Sequence, residues 1–353
     1  MTDLLLFSTG LAAVLGGGEL LVRGATQLAG RLGISPLIIG LTVVAFGTGA
    51  PELAITLRAA FTEHAADLAL GNVVGSNIAN ILLVLGLAAT LAPIAVTQRL
   101  IRIHVPVMIA TSLLVAGLAV LGNLGPAQGA VLLLALAAYL VLTVRWDRQQ
   151  LQPDEAEATG SMASAILRLL LGIPLLAGGS FLLVEAAAAI AAALGVSDLI
   201  IGLTMVAVGT SVPELATSLV AVARDNRQMA VGNAVGSNIF NLLAVLGCAA
   251  LLAPEGVHVA RQALVLDLPV MLAVAFACLP VFFTGHTIAR WEGILFLGYY
   301  AAYCAFLFFT GTQHQALPLF SGVMAGFVIP LTVVTLAVGL WRELRHRRPG
   351  LYS

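Results

Sequence analysis

The chain reads as an all-α polytopic membrane protein: two inverted five-helix repeats with an extra C-terminal helix, about eleven spans in all. Three observations predict this. First, the 353 residues are 60% hydrophobic and only 9% charged, against about 25% charged in soluble domains, and mean hydropathy is +1.05. Second, apolar stretches of 20 or more residues recur from end to end, each long enough to cross about 30 Å of hydrocarbon. Third, two segments occur twice. IGLTVVAFGTGAPEL at 39–53 returns as IGLTMVAVGTSVPEL at 201–215, with 11 of 15 positions identical. GNVVGSNIANILLVLGLAA at 71–89 returns as GNAVGSNIFNLLAVLGCAA at 232–250, with 14 of 19 identical.

Hydropathy and polar breaks place the spans at 3–27, 34–61, 66–92, 100–122, 126–146, 164–192, 196–222, 227–253, 262–284, 289–311 and 317–341. The first span lacks a basic leader and reads as a permanent helix rather than a cleaved signal. Spans one to five form a first repeat over 1–146, and spans six to ten a second over 164–311. A polar linker at 147–163 separates them, and 312–353 holds the unpaired eleventh helix and a basic tail. The two duplicated motifs recur at offsets of 162 and 161 residues. Five spans separate equivalent helices, an odd number, so the second copy crosses the membrane upside down relative to the first. Inverted repeats with interrupted helices meeting at the midplane are the architecture of many secondary transporters.

All 16 basic residues are Arg. With the N-terminus outside, fourteen of them face the cytoplasm and only Arg58 and Arg261 fall outside. That bias predicts a multi-pass protein of the cell (inner) membrane with a cytoplasmic C-terminus.

Each copy of the first motif buries one carboxylate, Glu52 or Glu214, in an apolar segment. Pro51 and Pro213 remove a backbone donor and break the helix around the Gly-Thr-Gly and Gly-Thr-Ser stretches. Carbonyl oxygens around Ala45 to Thr48, and Ala207 to Thr210, are then expected to point at a ligand. Non-helical backbone at membrane depth is tolerated only against protein or a water-lined cavity. Thr48 and Glu52 are four residues apart and share a helix face, as do Thr210 and Glu214. In the second motif Ser76 and Asn80, and Ser237 and Asn241, repeat that spacing. Gly71, Gly75, Gly232 and Gly236 permit close helix approach. The inventory is all oxygen and amide, with two carboxylates, which suits hard cations such as Ca²⁺ or Na⁺. A lone Gly-Ser-Asn or Thr-x-x-Pro-Glu segment would read as interhelical packing. Its occurrence twice, in inverted halves, favours an ion site.

These blocks, GLTxVAxGTxxPEL and GNxxGSNIxN in each half, closely resemble the repeats of the calcium/cation antiporter superfamily, in its Na⁺/Ca²⁺ exchanger branch of bacterial and archaeal type. The resemblance covers about ten of the eleven spans. It implies antiport of Ca²⁺ against Na⁺ by alternating access, with ions held by the second, third, seventh and eighth helices while the first and sixth slide as a gate. It places ligands on Glu52, Thr48, Ser76 and Asn80, and on Glu214, Thr210, Ser211, Ser237 and Asn241, joined by backbone oxygens of Ala45 and Ala207. Two departures stand out. Gly49 occupies a position where the family often has Ser, which removes one hydroxyl ligand. Asn80 and Asn241 stand where some members carry Asp, which leans towards K⁺ independence and mildly against proton coupling.

Several classes are excluded. Net charge is near zero, so attraction to nucleic acid has no support. No HExxH, GxSxG or Walker A motif is present, so the chain is read as a transporter rather than an enzyme, without a cofactor, whose partners are Ca²⁺, Na⁺ and the lipid bilayer. The three cysteines lie in apolar runs as core residues, and the six histidines are scattered. Glu19 and Arg23 are spaced for an ion pair, and Asp267 reads as reaching the outer surface near Arg261. The nearest alternative is exchange of H⁺ or another cation for Ca²⁺. A cation channel or a non-transporting scaffold is a remote one. Nothing in the sequence sets an oligomeric state.

Overall fold

The computed structural model describes residues 2–61, 66–148, 161–196 and 209–346. The helices are α1 (Thr2–Leu32), α2 (Pro36–Thr48 and Ala50–Ala60), α3 (Leu68–Leu91), α4 (Leu100–Ala119) and α5 (Pro126–Arg148). The second half contributes α6 (Met162–Ala193), α7 (Val212–Ala223), α8 (Arg227–Leu252), α9 (Ala263–Phe283), α10 (Arg290–Gly311) and α11 (Leu317–Trp341). Among the described residues nine helices are long and apolar enough to cross a membrane, and the bent α2 pair makes ten. The start of the predicted seventh span, at 197–208, lies outside the described residues, so ten spans rather than eleven stand here. Most of the predicted 147–163 linker also lies outside them.

Two short antiparallel ribbons, which the all-α expectation omitted, reveal the inversion. β1 (Ile94–Ala95) pairs with β4 (Thr287–Ile288), and β2 (Asn123–Leu124) pairs with β3 (Val257–His258). β1 leads into α4 while β4 follows α9; β2 follows α4 while β3 leads into α9. The entry of α4 therefore lies beside the exit of α9, and the reverse. These equivalent helices run in opposite directions.

α1 and α6 are antiparallel too, and their backbones nearly touch. A Cβ on Gly17 would lie 2.5 Å from Leu176 N, and one on Gly10 would lie 2.6 Å from Leu183 N. In lipid, where apolar burial gives helices no drive to associate, such small residues let packing do so. Gly17→Leu is expected to wedge the pair apart, lower the melting temperature in detergent and reduce transport; overpacking of this kind costs about 1–3 kcal/mol. An unchanged melting curve would mean that the close approach is dispensable.

The centre belongs to α3 and α8, whose membrane windows are 78% buried, whereas that of α11 is 0% buried. α11 leans on α9 and α10 across an apolar cavity of about 440 Å³ lined by Val270, Phe296, Tyr299, Phe320 and Met324. Within α1, Glu19 pairs with Arg23 as expected and also with Arg224 beyond α7. Asp267 is half-buried and accepts a hydrogen bond from Tyr303 of α10 at 3.1 Å.

Candidate cation site

The local sequence breaks both glutamate helices in the same way. Gly49 sits at φ −77°, ψ 2° and Ser211 at φ −88°, ψ 3°, outside helical geometry, each two residues before a proline. Pro51 sits in the first turn of the second segment of α2, where a missing N–H costs nothing, and the two segments meet at 45°. Glu52 and Glu214 thus open the first turn of a new helix. α3 and α8 carry a matching irregularity: a π-helical turn begins at Asn80 in one and at Asn241 in the other. Single π-turns of this kind recur at functional sites.

Close packing brings the four helices together. A Cβ on Gly236 would lie 2.7 Å from Leu41 Cα, so α8 rests on the backbone of α2. Ser76 Oγ and Thr210 Oγ1 share a hydrogen bond of 3.1 Å, and Thr48 Oγ1 donates to Asn233 Oδ1 at 3.3 Å. Each of these joins the two halves. Glu52 and Glu214 lie near enough to repel as like charges, and both are 0% exposed.

The structure therefore gathers Glu52, Glu214, Thr48, Thr210, Ser211, Ser76, Asn80, Ser237 and Asn241 into one buried region; none is more than 9% exposed. Ala207 lies outside the described residues. The expectation of free carbonyls needs one correction. Ala45 O accepts from Gly49 N at 3.0 Å and from Thr48 Oγ1 at 3.4 Å. Gly47 O is the one deprived of its N–H, because Pro51 stands four residues on.

The polar atoms of this region are short of partners. Among the described residues, both carboxylate oxygens of Glu52 and Glu214, both amide atoms of Asn80 and Asn241, and the hydroxyls of Ser211 and Ser237 are buried without a hydrogen bond. Buried polar groups are nearly always paired, and leaving one unpaired costs about 1–3 kcal/mol. A concentration of such atoms around two acids has the chemistry to hold a hard cation.

Four asparagines escaped the sequence reading although the motifs repeat them. Asn77 Nδ2 donates to Asn238 O at 3.2 Å and Asn238 Nδ2 to Asn77 O at 3.1 Å, a reciprocal clasp where α3 crosses α8. Asn72 and Asn233 tie α3 and α8 to the glutamate helices. Their duplication was the available signal, masked by their neighbours Ser76 and Asn80.

With this geometry in view, comparison with known proteins is decisive. The family model described as "Sodium/calcium exchanger protein" matches the chain twice, over residues 2–145 and 164–309. The chain belongs to the sodium/calcium exchanger family. Each half matches the same model, as the internal repeat requires. The Inner membrane protein YrbG of Escherichia coli is 34% identical over 86% of this chain and 96% of its own length. The Sodium/calcium exchanger MaX1 of Methanosarcina acetivorans is 30% identical over 87% and 99%. A solved structure of the sodium-calcium exchanger NCX_Mj superposes with a TM-score of 0.75 at 32% identity, covering 86% of this chain and 98% of that one. This family member is accordingly a multi-pass membrane antiporter of the calcium/cation superfamily, a transporter and not an enzyme.

Proposed function

We propose that this exchanger moves Ca²⁺ against Na⁺ across the cell (inner) membrane by alternating access, with its N-terminus outside. The carrying observation is the cluster of buried, unpartnered oxygens around Glu52 and Glu214. Two ionised carboxylates present a charge of −2, which one Ca²⁺ or several Na⁺ neutralise. Thr48, Thr210, Ser211, Ser76, Asn80, Ser237 and Asn241 complete the oxygen shell, with the backbone oxygen of Ala207. Hard cations favour such ligands, and an uncompensated charge at mid-bilayer costs at least about 2.5 kcal/mol. An ion-free site then resists the passage between outward and inward states, which makes exchange obligatory. The names of MaX1 and NCX_Mj support Na⁺ as the counter-ion.

Swapping the driving ion tests this reading. Proteoliposomes loaded with Na⁺ are expected to take up ⁴⁵Ca²⁺, whereas an imposed pH gradient without Na⁺ drives none. Uptake driven by the pH gradient alone would make the protein a proton-coupled exchanger. Uptake with no exchanged cation would make it a channel.

Gly49 tunes the Na⁺ side of the site. A Cβ there would stand 3.8 Å from Asn241 Oδ1 and 3.1 Å from Ala45 O, so a serine hydroxyl fits among the ligands after a small shift. Gly49→Ser is expected to lower the half-saturating Na⁺ concentration several-fold, read from Na⁺ titrations of ⁴⁵Ca²⁺ uptake. No change would place residue 49 outside the Na⁺ shell.

A further inference from the structure

Asn72 and Asn233 hold equivalent places in the two halves, and neither is among the ligands assigned above. Asn72 Nδ2 donates to Thr56 Oγ1 at 2.9 Å and to Glu52 O at 3.4 Å. Asn233 Nδ2 donates to Ser218 Oγ at 3.1 Å and to Glu214 O at 3.3 Å. Each amide thus pins the helix carrying its own half's glutamate to the helix carrying that half's serine and asparagine ligands.

The halves part company at the threonines. Thr48 Oγ1 shares its one proton between Ala45 O of its own helix at 3.4 Å and, across the halves, Asn233 Oδ1 at 3.3 Å. Ser237 Oγ, one turn further along α8, has no partner among the described residues. Thr210 Oγ1 instead meets Ser76 Oγ at 3.1 Å, one turn along α3 from Asn72. Residues four apart share a helix face, so each threonine confronts an asparagine and a serine of the opposite half. One threonine takes the asparagine and the other takes the serine. A duplicated device caught in two different positions displays both settings of one switch.

We infer that Asn72 and Asn233 are positioning residues for exchange: each threonine alternates between the asparagine and the serine of the opposite half, and the two threonines alternate out of phase. A threonine held by its asparagine leaves the facing serine open to a cation, as Ser237 is here. A threonine bonded to its serine occupies that ligand, as with Ser76. Changing the side of access exchanges the roles of the halves. This rests on the exchanger reading of the two-glutamate site and adds the residues that time its ligands.

The test uses full-length Asn72→Ala and Asn233→Ala, with half-saturating Ca²⁺ measured at each membrane face in inside-out and right-side-out vesicles. Losing Asn233 removes one setting for Thr48, and losing Asn72 removes the matching setting for Thr210. The two variants are expected to bias access oppositely, shifting the ratio of the two half-saturation values several-fold in opposite directions. The near-isosteric Asn72→Leu and Asn233→Leu give the same opposed pattern and guard against an alanine variant that fails to fold, whereas Thr48→Val and Thr210→Val, which remove both settings at once, give no opposed shift. Shifts of the same sign, or none, overturn the switch, because a purely structural loss weakens both faces alike. Hydrogen–deuterium exchange of the ion-free protein reads the same bias as opposed protection changes in α2 and α7, and needs no transport. Parental Na⁺-driven flux tests the exchanger reading separately. If that flux is absent while the opposed protection changes appear, the switch stands and the exchanger reading fails.

Discussion

Glu52→Gln and Glu214→Gln are each expected to abolish Na⁺-driven ⁴⁵Ca²⁺ uptake, with apparent Ca²⁺ affinity falling by at least about 100-fold. The size follows from charge. Opposite unit charges in contact at an effective dielectric of ~20 attract by about 4 kcal/mol, and a divalent ion doubles that. Some of this is offset because the glutamine variant no longer carries two acids that repel each other. The remainder still exceeds the ~2.7 kcal/mol that a 100-fold change represents. Glutamine keeps the shape of the side chain and one oxygen, so both variants should fold and melt near the parental temperature. Uptake at parental levels in either variant would remove that glutamate from the cation site.

The second large effect is expected at the crossing of α3 and α8. Asn77→Leu removes the amide that donates to Asn238 O and leaves Asn77 O still receiving from Asn238; Asn238→Leu does the converse. Each loss of a buried hydrogen bond costs about 1–3 kcal/mol. Met271 Sδ and Met108 Sδ approach the two amides at 3.7 Å and offer only weak acceptance in exchange. Ser76 and Asn80 flank Asn77, and Ser237 and Asn241 flank Asn238, so a loosened crossing also misplaces ligands from both halves. Thermal melting of single and double variants should show clear destabilisation, with the double variant less affected than the sum of the singles, as residues in contact behave. Strict additivity would mean that the two amides act independently.

The inverted architecture was legible because duplication and span parity are properties of order along the chain. Composition alone placed the helices in lipid, and the Pro51 and Pro213 breaks followed from the missing backbone donor. What stayed hidden depends on partners far apart in sequence. The ribbons joining Ile94 to Ile288 and Leu124 to Val257 are two residues long, too short for any periodicity to announce. Asn77 looked like spacing between Ser76 and Asn80 until α8 supplied its partner. Ala45 lost its place as a free carbonyl because Gly49 still donates to it; the break falls at Gly49, at the end of the Gly-Thr-Gly stretch where the sequence placed it. Arg224 joined the Glu19–Arg23 pair from more than 200 residues away, beyond the reach of any i, i+4 rule. Asp267 likewise found Tyr303 on the next helix.

The central claim is that one cation is shared by two acids from mirror-related halves. Equilibrium ⁴⁵Ca²⁺ binding to the purified protein, parent beside Glu52→Gln and Glu214→Gln, tests it without any flux. The claim predicts that a single high-affinity site disappears in both variants alike. If one substitution erased binding while the other left the parental isotherm intact, the two glutamates would not share an ion, and the claim would be contradicted.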